Sequence, residues 1–150
     1  MTYRAFDLKI LHILRKVSEP VARAGIFIIF FWFGFLKVLG LSPASPLVSA
    51  LLAVTMPFIP APIFIAGFGA LECLIGLLFL VKGMERIAVV ALFLHMITTV
   101  MPLFLLPDIA WTGLLVPTLE GQYIIKNIAI IAAAIGIAAH LHPLHKREHI

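Results

Sequence analysis

The sequence predicts an all-α integral membrane four-helix bundle, with an amphipathic interfacial helix at its start and a short external helix between the first and second spans. Three observations carry this expectation. The 150 residues are 63% hydrophobic and only 12% charged. Their mean hydropathy is +1.15. The apolar residues also gather into runs of about twenty, the length at which a helix rising about 1.5 Å per residue crosses a hydrocarbon core of about 30 Å. A soluble domain is nearer half apolar and a quarter charged. A chain of this size has too much surface to hide so many apolar side chains from water. One membrane domain over 1–150 follows, with the lipid bilayer as its main partner.

Residues 3–19 place Tyr3, Phe6, Ile10, Ile13, Leu14 and Val17 three or four apart, with Lys9, His12 and Lys16 on another face. That spacing predicts an amphipathic helix lying on the inner leaflet. Glu19-Pro20 is expected to break it, with Pro20 opening the next helix. The spans are expected at about 21–41, 63–82, 87–106 and 123–141. Between the first two, residues 42–62 carry five prolines and no charge. Residues 46–54 fit a short helix there, too short to cross and so interfacial or re-entrant on the outer side. Lys82 to Arg86 read as a tight charged turn, 107–122 as a polar loop, and 142–150 as a basic, histidine-rich cytoplasmic tail. No cleavable leader is read at the start.

Orientation follows from the cationic residues. Arg4, Lys9, Arg15, Lys16 and Arg23 precede the first span, Lys82 and Arg86 separate the second and third, and Lys146 and Arg147 follow the fourth. The loops 42–62 and 107–122 hold no Lys or Arg. The positive-inside rule then puts both ends in the cytoplasm, as a multi-pass protein. The formal charge of +4 therefore reads as a topology signal and not as a nucleic-acid face. Cys73 is the single cysteine, so the chain has no dithiol chemistry of its own. No phosphate-binding, nucleotide-binding or zinc-protease motif is present. His140, His142, His145 and His149 lack a completing carboxylate or thiolate, so they read as a solvated tail and no metal site is expected. Only His95 is deep, which disfavours bis-histidine haem.

Chemistry is sought among ionisable residues inside apolar segments, because a bare charge at mid-membrane costs several kcal/mol. Four occur: Lys37, Glu72, His95 and Lys126. From the direction of each span, all are expected in the middle or outer half of the bundle. Glu72 shares a face with Gly69 and Gly76, which permit close helix approach. His95 shares one with Thr98 and Thr99, Lys126 one with Tyr123, and Lys37 one with Phe30, Phe33 and Gly34; Asn127 follows Lys126 at the start of the fourth span. A shared internal cavity is expected, with Phe30, Phe33, Gly34, Gly69 and Gly76 lining a slot. The alternative is a purely structural ion pair between Glu72 and Lys37 or Lys126, with the lysines snorkelling to the outer interface.

Taken in order, several short motifs over residues 21–141 resemble the DoxX-like family of small bacterial membrane proteins, in an uncharacterised subgroup. Gly34-Phe35-Leu36-Lys37 is similar to the family's Gly-x-x-Lys at the outer end of the first helix. Glu72 to Gly76 is similar to its Glu-x-x-x-Gly. Gly83 and Arg86 resemble its short turn before the third helix, and Leu119 to Asn127 resembles the start of its fourth. The resemblance implies a four-helix inner-membrane bundle linked to redox physiology. Three functions are carried forward. One is an accessory subunit of a membrane redox or oxidative-stress system, with a redox partner protein and a polar site suited to a quinone. Another is a small transporter, in which Glu72 takes a proton or cation and the chain forms a homo-oligomer. The third is a ligand-free assembly scaffold. Whether the chain is an enzyme is left open.

Overall fold

The computed structural model describes residues 3–141, with the backbone only at 4 and 5. The expected tail, 142–150, lies outside the described residues. The described chain is mostly helical and carries four helical stretches long and apolar enough to cross a membrane: 6–38, 61–80, 85–105 and 119–139.

The first helix, α1, runs unbroken from Tyr3 to Val38 with Pro20 inside it. The expected break at Glu19-Pro20 is therefore absent. An internal proline removes one backbone hydrogen bond and crowds the preceding turn. Here Arg23 Nη1 reaches back to Glu19 Oε1 at 3.3 Å, an i,i+4 pair that straddles the proline. At about 1.5 Å per residue α1 is about 54 Å long, well beyond one hydrocarbon core. Its first part projects past the other helices, with Phe6, Leu8, Ile10, Leu11, Ile13, Leu14 and Val17 all exposed.

After a turn at Gly40, where φ is +71°, α2 (Ser45–Thr55) lies where the short helix over 46–54 was expected. The second long helix, α3 (Ala61–Leu80), ends at a turn around Gly83 that leads into α4 (Glu85–Val100). Met101 and α5 (Pro102–Leu105) extend α4 by another turn. The expected loop 107–122 is more ordered than its polarity suggested. It holds a helical turn, α6 (Pro107–Ala110), and a small antiparallel hairpin of β1 (Trp111–Gly113) with β2 (Val116–Pro117). Helix α7 (Leu119–Lys126) follows, and α8 (Ile128–Ala139) continues it beyond Asn127. The fourth apolar stretch thus starts four residues earlier than the expected 123. The cause is a side-chain cap. Thr118 Oγ1 accepts from Gly121 N at 3.1 Å and donates to Ile109 O at 2.7 Å, starting α7 and tying it to α6.

All four long stretches supply the core: Ile26 and Phe30 from α1, Ile75 and Phe79 from α3, Ala88, Val89, Leu92 and Met96 from α4, and Ala134 and Ile137 from α8. Helix α1 packs chiefly on α3 and also against α8, and α3 packs on α4. The outward face of α3 is equally apolar, with Leu71, Leu74, Leu77 and Leu80 exposed. Apolar periodicity therefore does not choose the buried face of α3. Small residues and ionisable groups choose it.

Candidate functional site

Gly34 on α1 and Gly69 on α3 meet backbone to backbone. A Cβ on Gly34 would stand 2.6 Å from Gly69 O, and one on Gly69 would stand 2.5 Å from Gly34 O and 2.6 Å from Lys37 Cβ. Any side chain at either position would push the helices apart. Gly76, two turns further along α3, allows the same approach to the backbone of Phe27 and Phe31. These contacts bring Lys37, in the last turn of α1, over Glu72, one turn beyond Gly69 on α3.

Lys37 Nζ donates to Glu72 Oε2 at 2.6 Å, and both side chains are buried. On the other side, His95 Nε2 from α4 lies 3.3 Å from Glu72 Oε1. Each carboxylate oxygen therefore has its own partner, as a buried carboxylate requires. The imidazole is held by two rings. Phe68 stacks on it with centroids 4.7 Å apart, and Phe30 meets it at a steep angle at 5.3 Å. The Lys37 ammonium lies 6.0 Å from the Phe68 centroid, at the limit of a cation–π contact. Position on α1 adds a modest term, since a cation complements the negative end of the helix dipole.

The hydroxyls of Thr98 and Thr99 both donate to His95 O, at 2.7 and 3.2 Å. Among the described residues, one buried side-chain nitrogen or oxygen has no hydrogen-bond partner: His95 Nδ1. His95 also lines a groove of about 240 Å³ between α3 and α4, together with Phe68, Leu71, Ala91, Leu94 and Thr98. This groove opens beside the exposed Leu71 and Leu94.

The other expected members of the site stand apart. Lys126 is exposed, with its ammonium 5.5 Å over the ring of Tyr123, which is exposed as well. The inward positions of α7 are Gly121 and Ile124, and at about 100° per residue Lys126 stands about 200° around the helix from Ile124. Asn127 sits half-buried at the α7–α8 junction. Of the expected slot, Phe30, Gly34, Gly69 and Gly76 are buried, but Phe33 points outward and is half exposed. The contact face of α1 is the narrow row Ile26, Phe30, Gly34 and Lys37, and Phe33 falls beside it.

Two features escaped the reading of the residues. Phe68, one turn before Glu72 on the same face, forms the floor under both His95 and Lys37; its i,i+4 spacing was the available signal. Arg23 was counted only as a topology charge. In the fold it donates from Nε to Phe79 O at 2.7 Å, from Nη2 to Val81 O at 3.3 Å, and from Nη1 to Glu85 Oε1 at 2.7 Å and Glu19 Oε1 at 3.3 Å. It thereby caps the end of α3 and fastens α1 to the start of α4. Among the described residues no group of three or more His, Cys, Asp or Glu is placed to hold a metal. The chain matches no protein-family model, no curated protein and no solved structure.

Proposed function

We propose that this chain is a multi-pass protein of the bacterial cytoplasmic membrane, with both ends inside. In this reading it is an accessory subunit of a membrane redox or oxidative-stress system and binds the ring of a quinone-class ligand beside the Lys37–Glu72–His95 cluster. One observation carries the ligand reading: His95, which lines an apolar groove, is buried, clamped by two phenyl rings, and keeps one ring nitrogen without a partner. A buried unpaired polar atom costs about 1–3 kcal/mol, and a ligand with one well-placed polar group removes that cost. The groove opens between apolar side chains, so a lipophilic ligand would reach it from the bilayer. Support for the redox setting comes from the DoxX-like motifs at Gly34–Lys37 and Glu72–Gly76.

The test is binding of a quinone analogue to the purified protein in lipid nanodiscs. His95→Ala should weaken binding about tenfold or more, and Ala91→Phe, which fills the groove, should abolish it. Binding unchanged in both variants would refute the ligand reading. A second reading, a ligand-free assembly subunit, is favoured by the closed Lys37–Glu72 pair over the Gly34–Gly69 crossing. It predicts that a partner enzyme leaves the membrane when this chain is deleted, while Ala91→Phe has no effect.

A further inference from the structure

Helix α1 carries one apolar line that the bundle leaves uncovered. It runs from Ile10 through Leu14, Val17, Val21 and Ala24 to Ile28, in alternating steps of four and three residues, and Phe31 and Phe35 continue it. All of these but the half-buried Phe31 are exposed. Such steps are the seven-residue repeat of helices that pair side by side. At about 100° per residue the line stands about 150° around α1 from the row that packs on the bundle, Ile26, Phe30, Gly34 and Lys37. Lys9, Arg15, Lys16, Glu19 and Arg23 fall off it, and Asp7 ends it. With the flanking Phe6, Ile13 and Trp32 it exposes on the order of 900 Å² of apolar surface, at about 200 Å² for a whole large side chain. A standard interface takes about 800 Å² per partner.

Two observations say what covers this line. The first is its reach. Arg23 bonds Phe79 O, Val81 O and Glu85, so it stands level with the end of α3 and the start of α4. Ile10 comes thirteen residues earlier on the same unbroken helix, about 20 Å beyond that level. Lipid that covers Val21 to Phe35 does not extend so far along a straight helix, and the Glu19–Arg23 pair braces α1 across Pro20. The α1 of a second copy extends equally far. Copies in one membrane share one orientation, so the two helices run parallel. The second observation is Gly25, beside Ala24 at the edge of the line. A Cβ there would meet nothing within 4 Å, so the fold of one chain does not need this glycine, and glycine weakens a helix. Two small residues midway along the line let a second backbone come close. We propose that the protein pairs with a second copy of itself through this line of α1, in a parallel two-stranded coiled coil that begins beyond the membrane and continues into it. The proposal rests on the multi-pass reading and is independent of the ligand.

The experiment uses the full chain in membranes with Cys73→Ser as background and one new cysteine at a time. Val17→Cys, on the line, should form a disulfide with its own copy on mild oxidation. Leu8→Cys, on the opposite side of α1 and also exposed, should not. Adding Gly25→Leu should cut the Val17→Cys cross-link about tenfold or more with helix content unchanged, because the added side chain meets nothing in a single chain. Native mass spectrometry of the unaltered protein should show two copies, and of Val17→Lys one. Equal cross-linking at 8 and 17, or a single copy of the unaltered protein, would overturn the proposal. So would quenching of a fluorophore at position 17 by brominated lipid, which would mean that the first part of α1 lies on the bilayer. Release of the chain from membranes by alkaline carbonate would overturn the multi-pass reading as well; a single copy retained after that wash would overturn the pairing alone.

Discussion

Replacing Lys37 by methionine tests whether the buried cluster holds the bundle together. The ammonium lies 2.6 Å from Glu72 Oε2, with side chains only 8% and 9% exposed. At an effective dielectric constant of about 20, two unit charges at that distance attract by about 6 kcal/mol before desolvation is subtracted. Desolvation removes much of that gain for the intact pair but does not soften the loss of one partner, because a carboxylate is then left buried and unpaired. Lys37→Met should therefore lower stability by about 3–5 kcal/mol. Lys37→Met with Glu72→Met removes both charges and leaves side chains of similar length. The double variant should recover at least about 2 kcal/mol relative to Lys37→Met alone, less what His95 loses with its partner. The assay is reversible unfolding by SDS in mixed micelles, read by helix content for wild type, both single variants and the double. Strictly additive losses would refute the reasoning, since additivity would mean that the two charges do not depend on each other.

Two further outcomes follow from the same contacts. Gly69→Ala places a Cβ 2.5 Å from Gly34 O and should cost about 1–3 kcal/mol in thermal unfolding. Gly67→Ala, two residues earlier with nothing within 4 Å, should be neutral or stabilise by about 0.5–1 kcal/mol. Arg23→Lys keeps the charge but loses the planar fork that reaches Phe79 O, Val81 O and Glu85 together. It should destabilise nearly as much as Arg23→Gln, by about 1.5–3 kcal/mol, and raise amide exchange in the 81–85 turn; full rescue by lysine would contradict the capping role.

Where the four apolar stretches lie was legible from composition and run length, because a helix that must satisfy its own backbone in apolar surroundings has to be long and nearly charge-free. The ionisable residues inside those stretches were legible too, since each stands out against its neighbours. That Lys37, Glu72 and His95 share one face each also followed from spacing. Which of the four ionisable residues meet did not. Lys126 has the same credentials as Lys37 in one dimension, and only the packing of α7 through Gly121 and Ile124 turns it outward. Helix continuity through Pro20 was likewise hidden. Local rules favour a break there, whereas Arg23 reaches back to Glu19 while its other contacts lie on α3, the following turn and α4. Spacing along one helix states which groups share a face. The rotation of that face toward a neighbour is set by contacts between residues far apart in the chain, here the glycine crossing at 34 and 69, and those exist only once the helices have packed.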